Sequence, residues 1–263
     1  MTQVNKVIFD INKLVEPCYK AQNKAFGPID FPYIKELFAK HKIKNVLDVG
    51  TGEGSFILEL ANQTKGVKFD AVDINPDLIE IAKKRKGNIN VTFENAHFNS
   101  AFSGNNYDLI MARFAVEHMS NVSAFLKTVK KKLKSQGYIF IIEYYVDEMH
   151  ATDSVWKEYR KKELAVYRHI KSHPRVSLKL PGSLKRAGFK NIESSFRHIS
   201  PATVGATSFY NLVREYSKIY HHIAPSKWSK NYSDKIIKWA KISKKRTNND
   251  PTLIITHTIG QKL

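Results

Sequence analysis

The sequence is poor in cysteine and has no long apolar run. Its 263 residues contain a single cysteine, Cys18, which excludes a disulfide within the chain and a cysteine-based zinc site. No metal site of any other kind is predicted. No apolar stretch approaches the ~18 residues that a membrane-spanning helix needs, and the N-terminus lacks the basic-then-apolar pattern of a secretory signal. These absences predict a globular protein that works in the cytoplasm.

Acidic side chains are scarce, and the scarcity is confined to the second half. The chain has 43 Lys and Arg against 24 Asp and Glu, a net charge of +19. Residues 1–150 hold 20 basic against 17 acidic residues, whereas 151–263 hold 23 against 7. Only 9 of the 43 basic residues are arginine, the side chain that forms paired hydrogen bonds to phosphates and guanine, so nucleic-acid recognition is disfavoured. The excess lysine indicates either a surface that attracts an anionic partner or an ordinary solvated surface.

A glycine-rich turn follows an apolar strand at residues 46–56. Gly50, Gly52 and Gly54 form a G-x-G-x-G pattern, with Asp48 two residues ahead of it. Glycines let the backbone adopt positive φ angles and let a ligand approach closely, and the N-terminus of the following helix favours polar ligand groups. The dinucleotide fingerprint needs G-x-G-x-x-G, and Ser55 stands at its last glycine position. The spacing therefore disfavours hydride transfer.

A second acid, Asp73, ends the next predicted strand, 25 positions after Asp48. A carboxylate at the carboxyl end of the second parallel strand can accept hydrogen bonds from both ribose hydroxyls. Asn75 and Pro76 then predict the start of a helix. Short apolar strands continue to alternate with helical patterns, which predicts βαβ units and a parallel sheet with ligands at the carboxyl ends of its strands.

Residues 43–143, through these motifs, resemble the Rossmann-like class I S-adenosylmethionine-dependent methyltransferases. Within that class they are most similar to the small-molecule branch that includes the ubiquinone and menaquinone methyltransferases. The resemblance implies an α/β fold with helices on both faces of a seven-stranded, mostly parallel sheet, whose last-inserted strand, 253–259, runs antiparallel between the fifth and sixth. It also implies an N-terminal helical arm (1–42), a cofactor-binding core (43–149), helical lid insertions with the sixth strand (150–250) and a final strand (251–263).

The resemblance assigns S-adenosylmethionine as the cofactor. One position departs from the family, because Asn95 stands where an aspartate is usual, although an amide oxygen can still accept a hydrogen bond from the neutral adenine amine. The implied cofactor-binding residues are Asp48, Gly50, Thr51, Gly52, Gly54, Asp73, Ile74, Asn95, Ala96, Ala112 and Arg113. Arg113 is compatible with the cofactor carboxylate, an acidic substrate or a surface position.

Methyl transfer needs the acceptor to be aligned with the methyl group, and a base only when the acceptor is protonated. The candidate catalytic residues are Glu117, His118 and Tyr144, although the position of His118 beside a helix start favours capping or packing over a role as a base. Further candidate bases are Glu143, Tyr145 and His169. The predicted acceptor contacts are Tyr19, Phe114, His118, Tyr145, Tyr167 and Phe209.

Two regions outside the core are predicted to be helical. In the N-terminal arm, Val4, Val7, Ile8 and Ile11 recur at helical spacing until Pro17, and a second helix is predicted to begin near Phe31. Lid helices are predicted over about 152–170 and around the apolar stripe that starts at Phe209. In the core, a helix capped by Ser120 or Asn121 is predicted to run to about Lys134, followed by a strand from Tyr138 to Glu143.

The sequence thus predicts an S-adenosylmethionine-dependent methyltransferase that acts on a small-molecule acceptor. The basic second half of the chain is compatible with an anionic acceptor. Two alternatives stay open. An RNA methyltransferase would use the basic half as its docking surface, and a non-catalytic protein would bind S-adenosylmethionine as a structural or regulatory ligand. The sequence does not determine the oligomeric state.

Overall fold

The computed structural model describes residues 3–146, 152–245 and 251–263, with side chains from residue 14 onward. The described strands are β1 (Asn45–Val49), β2 (Lys68–Asp73), β3 (Val91–Asn95), β4 (Tyr107–Arg113), β5 (Leu133–Tyr145), β6 (Lys190–Ile199) and β7 (Leu253–Gln261). The described helices are α1 (Gln3–His41), α2 (Ser55–Asn62), α3 (Pro76–Arg85), α4 (Val122–Lys132), α5 (Ser154–His169), α6 (Val176–Arg186), α7 (Pro201–Val204), α8 (Ala206–Ile223) and α9 (Lys230–Ser243). A 3₁₀ helix, Val116–His118, follows β4.

The seven strands form one sheet in the order β3-β2-β1-β4-β5-β7-β6, which confirms the predicted topology. Strands β1 to β5 pair in parallel; Val46, for example, lies opposite Phe69 on one side and Leu109 on the other. Strand β7 is inserted between β5 and β6 and runs antiparallel. All nine residues of β7 are buried, as expected of a strand with neighbours on both sides, whereas β6 is largely exposed at the edge.

The N-terminal arm differs from the prediction. Two helices separated at Pro17 were expected, but α1 is a single helix that continues through Pro17, Pro28 and Pro32. Each proline removes a backbone hydrogen bond, so local preference favours a break, and the burial of Phe26 and Ile34 on either side of two of these prolines supplies packing that opposes it. The side chains of Val4, Val7, Ile8 and Ile11, on which the first helix was predicted, lie outside the described residues.

The start of β5 also differs from the prediction. A helix reaching Lys134 and a strand starting at Tyr138 were expected, but α4 ends at Lys132 and the strand begins at Leu133. Leu133 is buried and pairs with Tyr107, and the pairing of β4 with β5 is irregular just after this point. This long-range pairing outweighs the local helical pattern. The predicted caps are confirmed, since the Asn75 and Asn121 side chains accept hydrogen bonds from the first turns of α3 and α4.

The chain divides into two compact units. Unit 1 contains the described residues of 1–29, 145–174 and 198–254, and unit 2 contains 30–144, 175–197 and 255–263. Unit 2 holds most of the sheet and the glycine-rich turn. Most of the two predicted lid segments falls in unit 1. The functional division at residues 42, 149 and 250 stays a prediction.

Unit 1 has an aromatic core. Trp156 stacks on Tyr159 with their ring centroids 4.7 Å apart, and Trp228 meets Tyr159 edge-on at 5.0 Å. The Gln22 amide on α1 donates a 2.7 Å hydrogen bond to the Tyr216 hydroxyl on α8. Among the described helices, none combines the length and the apolar character needed to cross a membrane.

Candidate functional site

The glycine-rich turn between β1 and α2 requires glycine for both conformation and space. Gly50, Gly52 and Gly54 have φ angles of 76°, 59° and 76°. A Cβ atom added to Gly50 would lie 2.6 Å from the Ala115 Cβ, and one added to Gly54 would lie 2.8 Å from the Phe93 ring. Both distances are shorter than van der Waals contact. Larger residues therefore cannot occupy Gly50 or Gly54 without displacing their neighbours.

Asp73, at the carboxyl end of β2, joins this turn to the start of α3. Its Oδ2 accepts a 2.8 Å hydrogen bond from the Gly52 N–H, and its Oδ1 accepts one of 2.9 Å from the Asn75 N–H. Each carboxylate oxygen can accept two hydrogen bonds, so both keep capacity for a further donor. The next residue, Ile74, is 60% exposed, which places an apolar side chain on the surface beside the carboxylate.

Asn95 and Ala96 bring the end of β3 to the same edge of the sheet. The Asn95 amide nitrogen donates hydrogen bonds of 3.0 Å to the carbonyl oxygens of Asp73 and Ile74. The Ala96 N–H donates to the Asp73 carbonyl at 3.1 Å. The amide nitrogen of Asn95 is thus bonded to the backbone. The atom that this side chain can offer to a further group is its amide oxygen, which accepts a hydrogen bond.

Asp48 is the last residue but one of β1, and Arg113 ends the neighbouring strand β4. Burial raises the pKa of Asp48 to about 6, a shift that the Thr51 hydroxyl and the Arg113 charge oppose. The side chain of Arg113 is 7% exposed, which excludes a surface position for its guanidinium. Its Nε donates a 3.0 Å hydrogen bond to Asp30 on α1, and its guanidinium lies 4.3 Å from the centre of the Phe56 ring.

Asp30 and His257 are buried residues that the sequence did not single out. The second carboxylate oxygen of Asp30 lies 2.8 Å from Nε2 of His257 on β7, so one acid contacts both Arg113 and His257. Arg113 lies 83 positions from Asp30 in sequence, and His257 lies 227 positions from it. No local motif marks such a set. Asp30 directly precedes the predicted start of the second helix of the N-terminal arm, a position that does not identify it as a partner of Arg113 or His257.

The candidate catalytic residues lie at the ends of β4 and β5. Phe114, with a φ of 52°, stacks on Tyr144 with ring centroids 4.4 Å apart. His118 Nε2 lies 3.4 Å from Glu117 Oε1, and the His118 side chain is 53% exposed while that of Glu117 is 4% exposed. Ala112, on β4 just before this turn, is buried. The structure therefore brings Glu117 and His118 together at the edge where the parallel strands end.

Glu143 lies beneath this turn. It is fully buried, and its Oε1 accepts hydrogen bonds from the backbone N–H groups of residues 115, 116 and 117. Burial raises its pKa to about 8. The sequence identified Glu143 only as one of several candidate bases.

The predicted acceptor contacts are divided between the two units. Phe114 and His118 lie in unit 2, whereas Tyr19, Tyr145, Tyr167 and Phe209 lie in unit 1. Phe209 is fully buried and packs 5.7 Å from the Trp156 ring, and Tyr167 is 6% exposed. Tyr19 and Tyr145 are half-buried. Within unit 1, Tyr19 and Tyr145 are therefore more exposed to solvent than Tyr167 and Phe209.

A surface cavity of about 420 Å³ lies at the opposite, amino-terminal ends of β1 and β2. Lys44, Asn45 and Lys68 line it, and it includes no predicted site residue. Within the described part of the chain, no group of three His, Cys, Asp or Glu residues is placed to hold a metal ion.

Comparison with known proteins identifies the family. A methyltransferase domain model matches residues 23–194, and the chain belongs to this family. The chain is 27% identical to the phosphoethanolamine N-methyltransferase of Plasmodium falciparum over 72% of its own length. It is 28% identical to the ubiquinone/menaquinone biosynthesis C-methyltransferase of Rickettsia bellii over 38% of its length.

The chain spans 66% of the first of these relatives and 44% of the second. A similar fold occurs in phosphoethanolamine N-methyltransferase 2 of Haemonchus contortus, solved with phosphomonomethylethanolamine and S-adenosylhomocysteine. The TM-score is 0.56 at 19% identity, and the alignment covers 83% of this chain and 48% of the other. The resemblance inferred from the glycine turn and Asp73 is confirmed at the level of the family.

Proposed function

We propose that the protein is an S-adenosylmethionine-dependent methyltransferase that acts on a small-molecule acceptor. The observation that carries this proposal is the convergence of the glycine-rich turn, Asp73, Ile74 and Asn95 at one edge of the sheet. Membership of the methyltransferase family and a named small-molecule methyltransferase among the relatives support it.

The residues at this edge suit S-adenosylmethionine. The turn at 50–54 is a cradle that a Cβ atom at Gly50 or Gly54 would fill. The free acceptor capacity of Asp73 suits ribose hydroxyls, Ile74 offers an apolar surface for an adenine ring, and the Asn95 oxygen suits its amine. When bound, the cofactor supplies a methyl group on a positively charged sulfur.

The chain's own contribution to the reaction is to bind and orient the acceptor. We infer that the turn after β4 does this in unit 2, where the Phe114 and Tyr144 rings exclude water and His118 is exposed enough to contact a small molecule. With Glu117 beside it, His118 can take up a proton from an acceptor that is protonated at the start. The excess lysine of residues 151–263 supports an anionic acceptor.

An acceptor screen tests this proposal. Purified protein is incubated with methyl-labelled S-adenosylmethionine and, separately, with phosphoethanolamine, a reduced quinone, a pooled metabolite extract and total RNA. We expect label in at least one small molecule and at most traces in RNA. His118→Gln should reduce that transfer at least tenfold, whereas His97→Gln, on an exposed residue after β3, should leave it unchanged. Site-selective labelling of RNA alone would contradict the proposal.

A further inference from the structure

Glu143 is buried in an unusual way for an acid in a strand. Its side chain is inaccessible to solvent, and one oxygen, Oε1, accepts three backbone hydrogen bonds: 3.1 Å from Ala115, 2.6 Å from Val116 and 3.4 Å from Glu117. The other oxygen, Oε2, has no hydrogen-bond partner among the described residues. Moving an acid from water into the protein interior costs free energy, and the three hydrogen bonds to Oε1 offset part of that cost.

The three donors belong to the first residues of the 3₁₀ helix and the position before it. The first N–H groups of a helix have no partner within the helix, so they need an external acceptor. Local side chains usually provide it, but the residue at the start of this helix, Ala115, makes no side-chain capping bond. Glu143, 26 to 28 residues away in sequence, takes that role.

The backbone just before these donors is also in an unfavourable conformation. Phe114 has a φ of 52°, which costs free energy for a residue with a bulky side chain. Its N–H donates a 2.8 Å hydrogen bond to the Ile142 carbonyl of β5. The turn after β4 is therefore held to the end of β5 at consecutive residues, by Ile142 at position 114 and by Glu143 at 115–117.

We propose that Glu143 is a positioning residue, which fixes the backbone of residues 115–117 and thereby places Glu117 and His118 for contact with the acceptor. This inference rests on the proposed function, because the placement of His118 matters to the reaction only if the acceptor binds at this turn. Glu143 itself is too deeply buried to touch an acceptor, so it acts through the turn and not as a base.

Two substitutions distinguish the effect of the three hydrogen bonds to the turn from the effect of the charge of the acid. Glu143→Gln keeps an oxygen that can accept the three hydrogen bonds and keeps the size of the side chain, whereas Glu143→Leu removes the acceptor. We expect amide hydrogen exchange at residues 115–117 to be about tenfold faster in the Leu variant and nearly unchanged in the Gln variant. Glu193→Gln, on an exposed residue of β6, is the control. This readout requires neither cofactor nor acceptor.

The wild type alone already provides a test if the Leu variant does not fold. Its amides at residues 115–117 should be protected, and exchange at the rate of an open loop would overturn the inference. Equal protection in folded Glu143→Leu and wild type would overturn it as well.

The reaction provides the second readout. S-adenosylhomocysteine should bind the Leu variant as tightly as the wild type, whereas methyl transfer to a pooled metabolite extract should fall at least tenfold in kcat and recover in the Gln variant. Loss of activity in Glu143→Gln with the turn still protected would show that the carboxylate acts as a base and would overturn the positioning role. Methylation of no acceptor even by the wild type would contradict the proposed function, while the exchange experiment would still decide whether Glu143 holds the turn.

Discussion

Two buried acids, Asp30 and Glu143, hold the end of β4 and the turn after it in different ways. Asp30 does so through side chains, with the Arg113 guanidinium on one carboxylate oxygen and the His257 ring on the other. Glu143 does so through backbone N–H groups alone. The first arrangement depends on an opposite charge, and the second does not. Substitution by the neutral amide therefore has opposite expected effects at the two positions.

Asp30→Asn should destabilise the protein strongly. The substitution leaves the buried guanidinium of Arg113 without its negative partner, and breaking a buried ion pair in this way costs about 3–5 kcal/mol of unfolding free energy. Urea denaturation measures the change. The matched control is Glu80→Gln, whose exposed pair with Lys83 at 3.5 Å should contribute less than about 1 kcal/mol. Equal losses of unfolding free energy in the two variants would show that the Asp30–Arg113 pair stabilises the protein no more than an exposed ion pair does.

Glu143→Gln should make the protein less sensitive to alkaline pH. Because burial raises the pKa of Glu143 from 4.5 to about 8, the folded state binds the proton more tightly than the unfolded state. The stability that this provides is fully present below pH 4.5 and is lost as pH rises through 8. The Gln variant has no such loss, so at pH 9 its Tm should exceed that of the wild type by about 3 °C or more.

Melting curves from pH 5 to pH 9 check this expectation. The exposed-site variant Glu193→Gln should follow the wild type across the range. A Tm difference between Glu143→Gln and wild type that does not grow with pH would contradict the assignment of a raised pKa to Glu143.

At the scale of the element, the glycine-rich turn can be compared with another glycine of the same conformation. Gly54 and Gly66 have φ angles of 76° and 73°, but a Cβ at Gly54 would meet Phe93 and Ala82 within 2.9 Å, whereas at Gly66 its nearest neighbour is the end of Lys44 at 3.9 Å. Because the two φ angles are nearly equal, alanine has the same conformational free-energy cost at both positions. Gly54→Ala should therefore cost about 1–3 kcal/mol more unfolding free energy than Gly66→Ala. Similar costs would mean that space at the turn is not limiting.

Elements with strong local signals were predictable from the sequence. The turn at 50–54, Asp73 and the caps at Asn75 and Asn121 depend on residues within a few positions of one another. The place of β7 in the sheet came from the family resemblance and is confirmed.

Elements decided by distant contacts were not predictable. Helix α1 continues through Pro17 against local preference, and β5 begins at Leu133 because that residue pairs with Tyr107. The contacts of Asp30 with Arg113 and His257 join three parts of the chain that no sequence pattern connects. Local chemistry therefore predicted the edge of the sheet where the cofactor is proposed to bind, but not the buried residues beneath it.

At the scale of the whole molecule, the net charge of +19 predicts nonspecific binding to RNA at low salt. Such binding depends on phosphate neutralisation, so we expect it to weaken at least tenfold between about 50 and 200 mM salt. Methylation of a small acceptor should change far less over the same range, since only short-range contacts at the site are involved. Filter binding with a labelled RNA and the transfer assay, run in parallel, measure the two. RNA affinity that persists at 200 mM salt would favour the RNA methyltransferase alternative.

Calorimetric titration with S-adenosylhomocysteine tests the central claim most directly, because the glycine-rich turn and Asp73 carry the assignment of the cofactor. We expect the wild type to bind it at one site and NAD not to bind. Asp73→Ala should weaken that binding by about 1–3 kcal/mol, since the ribose hydroxyls lose a charged acceptor, whereas Glu80→Ala, on an exposed residue of α3, should bind as the wild type does. No binding of S-adenosylhomocysteine by the wild type, or tighter binding of NAD, would contradict the account.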